Sequence, residues 1–275
     1  MGKWPPTILS RKDTIDYIEN SGCSFGRFGD GELSMMLMLP VSGFQRISFG
    51  LRRELKEVAM SNDPGFLVCI PGPINDCSYL TELAASWWQN NTRKWGWAWK
   101  HYFSDGKTYG DTEITRPWID VQKEEIASLS FTRIKALWND RNVVMVEGER
   151  SRVGVGNDLL SNAASVKRII CPSKSAYSFI DQIEKECLRL PKENTLFLLA
   201  LGMTATCLSY RLFRDGYQAY DIGHMDVELE WYRMKATKKV PIQGKFVCEA
   251  GGNRSFREME LDRLYTESII AKVGV

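Results

Sequence analysis

The chain has 275 residues, of which 44% are hydrophobic, 25% charged and 11% aromatic, a globular composition that excludes a disordered chain. Lys and Arg number 36 against 34 Asp and Glu, a balance of +2 that argues against a dedicated nucleic-acid binder and leaves room for a basic cleft that takes one anionic ligand. Seven cysteines without a Cys-x-x-Cys pair exclude a zinc ribbon or thioredoxin-like site and fit reduced thiols packed as small hydrophobes.

The chain opens Met-Gly-Lys-Trp-Pro-Pro, without the apolar core of a secretory signal. The longest apolar stretch, 196–205, is shorter than the ~20 residues that span a bilayer. A cytoplasmic location is expected, with peripheral membrane association left open. The spacing predicts a helix over 10–20, with Ser10 as its cap, Ile15 and Ile18 on one face and Gly22 as its stop. A strand over 23–28 runs into Gly29-Asp30-Gly31-Glu32 and an apolar segment that Pro40 ends. Residues 66–70, bounded by Asp63-Pro64-Gly65 and Pro71-Gly72-Pro73, read as a buried strand.

The stretch 81–118 differs in character. Trp87, Trp88, Trp95, Trp97 and Trp99 place five of the nine tryptophans within thirteen residues, and the stretch is expected as a Trp-rich helical insertion. Beyond it the pattern is regular. Strands are predicted over 142–146, 168–171, 196–201 and 218–222, a glycine-containing loop over 147–156, a short helix from Asn157, and helices over 175–188 and 204–214. Such alternation implies parallel β-α units, hence one α/β domain over 1–275 with a Rossmann-like, mostly parallel sheet flanked by helices. Ligands of such sheets sit beyond the carboxyl ends of the strands, here the loops after 146, 201 and 222.

Those loops, and the turn after the 23–28 strand, carry the chemistry-bearing residues. In Arg27-Phe28-Gly29-Asp30-Gly31-Glu32, two carboxylates with glycines beside them can turn toward one hard cation such as Mg²⁺ or Mn²⁺. The competing reading is that Asp30 caps the following helix. In Asp221-Ile222-Gly223-His224-Met225-Asp226-Val227-Glu228, an imidazole among acids suits Mn²⁺ or another first-row metal; a loop histidine bonded to Asp226 is the alternative. Glu149-Arg150-Ser151-Arg152-Val153-Gly154-Val155-Gly156-Asn157-Asp158 follows a strand and is expected to open a helix. Its amides would then hold phosphate oxygens, with Arg150 and Arg152 as bidentate donors; a plain tight turn is the alternative. It lacks the Gly-Lys-Ser/Thr of a P-loop and the third glycine of a dinucleotide fingerprint. Leu201-Gly202-Met203-Thr204 offers a second phosphate or ribose contact. The tryptophans stack on sugars, or belong to the core or to a homodimer contact. Acidic turns, a histidine and an arginine-flanked loop suit a diphosphate bridged to a divalent cation, as in a nucleotide-sugar donor.

Four segments in order resemble the GT-D type glycosyltransferases: Arg27-Phe28-Gly29-Asp30-Gly31-Glu32, then Arg152-Val153-Gly154-Val155-Gly156-Asn157-Asp158-Leu159, then Leu201-Gly202-Met203-Thr204-Ala205-Thr206, then Tyr217-Gln218-Ala219-Tyr220-Asp221-Ile222-Gly223-His224-Met225-Asp226. That group includes a streptococcal glucosyltransferase of serine-rich-repeat adhesins and enzymes of polysaccharide gene clusters. The likeness runs from about Asp13 to Gly244-Lys245-Phe246. It implies a GT-D type fold and a metal-dependent hexosyltransferase that uses a UDP-sugar, UDP-glucose or a close relative. The acceptor is expected to be a glycan, on a protein or lipid-linked. The resemblance implies Mn²⁺ (or Mg²⁺) on Asp30 and Glu32, assisted by His224. Arg152, Gly154, Gly156 and Asn157 are expected to cradle phosphate and ribose, and Ser175 to touch the base. Arg27, Ser151, Asp158 and Thr204 complete the expected substrate contacts. Arg116, in Thr115-Arg116-Pro117-Trp118, is a further donor-site candidate. Asp226 or Glu228 is expected to take the acceptor's proton. Met203 stands where a small residue or proline is expected. Two rival readings are a metal-dependent nucleotide phosphohydrolase and a non-catalytic carbohydrate-binding protein built around the tryptophans; no nucleic-acid partner is expected.

Overall fold

A computed structural model describes residues 4–41, 45–103, 106–252 and 263–275. The first half holds β1 (Thr7–Ile8), α1 (Arg11–Ser21), β2 (Ser24–Arg27), α2 (Asp30–Met36), α3 (Phe49–Met60), β3 (Phe66–Ile70), α4 (Glu82–Phe103), β4 (Thr108–Asp111) and α5 (Glu124–Ala136). The second holds β5 (Asn142–Gly148), β6 (Ser165–Cys171), α6 (Ile180–Cys187), β7 (Thr195–Ala200), α7 (Met203–Arg214), β8 (Gln218–Asp221), α8 (Met225–Arg233), α9 (Arg263–Ser268) and β9 (Ile269–Lys272). All nine strands form one parallel sheet in the order β1-β4-β3-β2-β8-β7-β5-β6-β9.

Alternation along the central strands divides their side chains between two cores. Val144, Val146, Phe197, Leu199, Val68 and Ile70 face the layer of α2, α3, α4, α6 and α7. Val143, Met145, Leu196, Leu198, Leu67 and Cys69 face α1, α5 and α8. With both faces covered, these strands read as continuous apolar runs, which is why Leu67-Val68-Cys69-Ile70 and Leu196-Phe197-Leu198-Leu199 are legible without strict alternation.

Local signals work where the chain obeys them. Ser10 caps α1, its hydroxyl accepting the Asp13 amide at 3.1 Å, and Gly22 ends the helix in the left-handed region at φ 64°. Several expectations need correction. Asp30 does not cap α2: Gly29 is the cap residue, and Glu32 reaches back to accept its amide at 2.8 Å. No helix starts at Asn157; residues 149–164 are a series of turns. The segment 81–118 is not wholly an insertion. Its Trp-rich part is α4, but Thr108–Asp111 is a sheet strand between β1 and β3, and Ala98, Trp99, Tyr102 and Phe103 anchor α4 in the core. The expected helix over 175–188 is a 3-10 turn, Ala176–Phe179, leading into α6. All seven cysteines are free and five are buried.

The sheet positions the site. From β2 the chain proceeds to β3 on one side, and from β8 it proceeds through α8 to β9 at the far edge. Adjacent parallel strands whose onward connections diverge leave a crevice at their carboxyl ends, the usual place for a ligand.

Candidate functional site

Arg27, the last residue of β2, ties the crevice together. Its Nε donates to the Asp221 carbonyl at 2.8 Å, its Nη2 to Asp221 Oδ1 at 3.0 Å, and its Nη1 to Thr115 Oγ1 at 2.7 Å. Thr206 of α7 donates to the Arg27 carbonyl at 2.8 Å and to Asp221 Oδ2 at 3.2 Å. A Cβ on Gly223 would lie 1.6 Å from Arg27 Nη2, so only glycine lets the β8–α8 loop close over the guanidinium. Arg27 was expected to touch substrate; the structure makes it a partly buried brace between β2, β8 and the turn after β4. Three loops therefore converge on it, carrying Asp30 and Glu32, then Arg116, then His224.

Asp30 is exposed, and among the described residues its carboxylate has no hydrogen-bond or ion-pair partner. Glu32 keeps partial exposure, but burial pushes its carboxyl up to about 7 against the opposing Gly29 hydrogen bond. Arg116 grips Glu249 bidentately, at 2.9 and 3.1 Å. Lys239 Nζ reaches the same carboxylate at 2.6 Å, and His224 Nδ1 lies 3.2 Å from it. Burial acts to raise the Glu249 carboxyl, but the neighbouring His224 and Arg116 outweigh it and hold it well below the usual carboxylate range. His224 is thus paired with Glu249 rather than with Asp30 and Glu32. No group of three or more His, Cys, Asp or Glu is gathered for a metal ion among the described residues.

The two acids proposed as a base are anchors. Asp226, 2% exposed in the first turn of α8, accepts from the Gly154 amide at 2.7 Å and Asn157 Nδ2 at 2.8 Å through Oδ1, and from Lys245 Nζ at 2.6 Å through Oδ2. Glu228, fully buried, accepts the amides of Trp118 and Ile119 at 3.0 Å each and keeps Arg116 Nη2 4.0 Å from its other oxygen. Burial raises the Glu228 carboxyl. Neither lies open to an incoming hydroxyl.

The glycine loop is gripped in the same way, so the Val153 and Gly154 amides are taken up inside the protein rather than held out to a phosphate as expected. Glu147, the buried acid ending the apolar run of β5, accepts the Val153 amide at 2.7 Å and Arg168 Nη1 at 2.5 Å. Arg168 lies over the Tyr265 ring, 4.5 Å from its centroid. The Gly154 amide and Asn157 are engaged by Asp226, and Asn157 also donates to Glu230 at 2.6 Å. Arg152, 5% exposed, donates to the Gly244 carbonyl at 3.0 Å. Asp158 points away, pairing with Lys135 at 2.8 Å and Arg233 at 2.5 Å on the surface. Ser151 sits partly exposed at the loop's start, and Gly156 at φ 78° faces open space.

Two expected contacts lie elsewhere. Ser175 adopts a left-handed conformation and accepts the Arg46 amide at 3.2 Å. Thr204 is fully buried in the first turn of α7, and its hydroxyl has no hydrogen-bond partner among the described residues. Met203, the unexpected residue, is 3% exposed, and its methyl would lie 3.1 Å from a Cβ on Gly31, so this turn packs against the start of α2. Sequence reasoning missed Glu147, Glu249, Lys239, Lys245 and the bracing role of Asp221. An acid directly ending an apolar strand is a signal for Glu147 and Asp221; Glu249, Lys239 and Lys245 carry no local signal, because folding alone brings them to the site.

Comparison with known proteins places this geometry. A model of the glycosyltransferase GT-D fold matches residues 25–250. The chain is 34% identical to glycosyltransferase GlyD of Streptococcus pneumoniae serotype 4 over 95% of this chain and 32% of that protein. It is 34% identical to the probable glycosyl transferase Gly of Streptococcus gordonii over 98% of this chain and 39% of that protein, so it spans well under half the length of these curated relatives. A solved structure described as a highly conserved domain with a distinct glycosyltransferase fold shares 34% identity and a TM-score of 0.92, covering 97% of this chain and 95% of that one. A glycosyltransferase from Streptococcus sanguinis shares 35% identity and a TM-score of 0.91, covering 97% of this chain and 99% of that one.

Proposed function

This chain belongs to the GT-D-fold glycosyltransferases, and on that premise we propose that it transfers a hexose, glucose foremost, from a UDP-sugar to a glycan acceptor in bacterial glycoprotein or polysaccharide biosynthesis. The observation that carries this reading is that Arg27 ties together the loops bearing the unpartnered Asp30, Arg116 and His224, the latter two holding the Glu249 carboxylate together with Lys239. A cationic fork that already holds one anion is built for phosphate oxygens. Asp30 and the second oxygen of Glu32 are hard donors. Mg²⁺-like cations commonly take only one or two carboxylates from the protein and complete their shell with substrate phosphates and water. The donor set therefore fits Mn²⁺ or Mg²⁺ without requiring His224 as a ligand. When bound, the cation supplies charge neutralisation for the departing nucleoside diphosphate.

Each remaining role belongs to the chain. Arg116 and Lys239 bind phosphate oxygens once these displace Glu249. His224, released from Glu249, donates a further hydrogen bond to the same group. Arg27 holds the three loops in register, and Glu228 fixes the backbone on which Arg116 stands. Ser151 and Gly156 lie on the open side of the glycine loop, where donor ribose is expected. The described residues contain no helix long and apolar enough to cross a membrane.

The test is a thermal-shift titration with UDP, GDP and ADP, each with Mn²⁺ and with EDTA. A ligand selective for the native state raises the melting temperature by mass action. A rise for UDP that requires Mn²⁺ is expected. The absence of any nucleotide-dependent shift would overturn the donor reading, and phosphate release from a nucleotide without acceptor would favour hydrolysis.

A further inference from the structure

A second cavity, of about 360 Å³, adjoins this crevice and is formed by two facing helical stripes. From α2 and its cap come Asp30, Leu33, Ser34 and Leu37; from α4 come Trp87, Asn90, Asn91, Lys94 and Trp95. Both sets follow i, i+3, i+4, i+7 spacing, so each helix offers one continuous face. The C-terminal half of α4 is committed to the core, with Ala98 and Trp99 fully buried. Its N-terminal half is anchored by Ala84 and Trp88 but leaves Trp87 46% exposed. That ring is buttressed edge-on by Trp88 at 4.9 Å and 90°. Lys94 Nζ lies 4.8 Å from the Trp95 ring centroid.

The polar groups between the rings are available. The Asn90 and Asn91 carbonyls accept from Arg93 at 3.3 Å and Trp99 at 3.4 Å, which leaves both amide NH₂ groups unpartnered among the described residues. Ser34 and Asp30 supply a hydroxyl and a carboxylate. A flat indole with hydrogen-bonding groups at its margin matches a sugar ring, whose C–H face is apolar and whose rim is hydroxylated. Five polar residues among the nine in the lining argue against an acyl chain or an apolar partner helix. The cavity volume falls within the usual range of small-molecule sites, about 300–1,000 Å³.

We propose that this cleft is the acceptor saccharide subsite, with Trp87 as its stacking platform and Asn90, Asn91 and Lys94 reading the hydroxyls. The assignment rests on the donor reading above, because Asp30, the hard donor assigned to the cation there, also lines the cleft. An acceptor seated there presents a hydroxyl toward the donor. Its oxygen bonds the donor's anomeric carbon as the bond from that carbon to the diphosphate oxygen breaks; the electron pair leaves with UDP and the hydroxyl proton passes to solvent.

The experiment measures wild type, Trp87→Ala, Asn90→Ala and Trp97→Ala on an array of immobilised mono- to tetrasaccharides with glucose, galactose and N-acetylhexosamine termini. Trp97 is 60% exposed but does not line the cleft, so Trp97→Ala is the control. Binding to a subset of glycans is expected, reduced at least tenfold by Trp87→Ala and Asn90→Ala and kept by Trp97→Ala. The UDP and Mn²⁺ thermal shift is run on each variant and is expected to persist in all of them, which also shows that they fold. Wild-type failure on every glycan overturns the subsite, as does unchanged binding by Trp87→Ala. A UDP shift lost in Trp87→Ala reassigns the cleft to the donor. A wild-type dimer that Trp87→Ala converts to monomer makes the cleft a subunit contact. Glycan binding without any UDP shift in wild type sinks the donor reading and leaves the saccharide site standing.

Discussion

Replacing Lys245 by Met tests whether Asp226 is an anchor of the glycine loop. The ammonium is 3% exposed, 2.6 Å from Asp226 Oδ2 and 3.4 Å from Glu230 Oε1. Methionine fills similar volume but leaves a buried carboxylate with only two donors, the Gly154 amide and Asn157. Breaking a buried pair by removing one partner costs about 3–5 kcal/mol, most of it the uncompensated charge. For a chain of this size, at about 2–4 °C per kcal/mol, the melting temperature should fall by about 6–20 °C. Urea unfolding at pH 7 should show a lower midpoint with an unchanged slope. The double variant, Lys245→Met with Asp226→Leu, removes both charges and should recover much of the loss, giving a coupling of about 2 kcal/mol or more. A cost below about 1 kcal/mol for Lys245→Met, or additivity in the double variant, would refute the buried pair. An Asp226 acting as base predicts instead that Asp226→Asn keeps stability and flattens the pH profile of transfer.

Three further outcomes follow from the same contacts. Glu32→Ala should abolish transfer from UDP-sugar while costing only about 1 kcal/mol, the worth of its hydrogen bond to the Gly29 amide; normal turnover by this variant would remove Glu32 from the site. Gly223→Ala forces a Cβ to within 1.6 Å of Arg27 Nη2 and should cost at least about 3 kcal/mol by displacing Arg27 from Asp221; a melting temperature within a degree or two of wild type would contradict this. Glu113 is 4% exposed, and burial pushes its carboxyl from 4.5 up to about 7 despite the charge of Arg116. A folded-state value raised above the unfolded one makes the ionised form a liability, so wild-type stability should fall as pH rises from about 4.5 to 7. Glu113→Gln should reduce that slope and be more stable at pH 8 by about 3 kcal/mol, as read from urea midpoints across the pH range.

Legibility followed the range of the interaction. The helix capped by Ser10 and stopped by Gly22, and the buried run Phe66–Ile70, are specified by neighbouring residues and were readable. β4 was not, because Thr108–Asp111 has no apolar run and becomes a strand through pairing with β1 and β3. The turns after β5 read locally as the opening of a helix, which they are not. Glycines at a strand end resemble a phosphate loop locally, whereas Glu147 and Asp226, reaching in from β5 and α8, hold the amides in irregular backbone.

By itself, then, the sequence determined the α/β class, the parallel sheet and the loops in which chemistry could reside, because hydrophobic periodicity and turn residues act over a few positions. Its four ordered motifs also pointed to the family. Only the tertiary structure decided what each polar side chain does. Arg27, Asp226 and Glu228 look alike in sequence as candidates for substrate, yet burial obliges each to find a partner, and those partners, Asp221, Lys245 and the Trp118 and Ile119 amides, consume them. Asp30 stays available because it stands exposed at the start of α2, beyond the carboxyl edge of β2. Glu249 joins Arg116, 133 positions away in the chain, because the sheet brings their loops to one edge, a separation that no local pattern encodes.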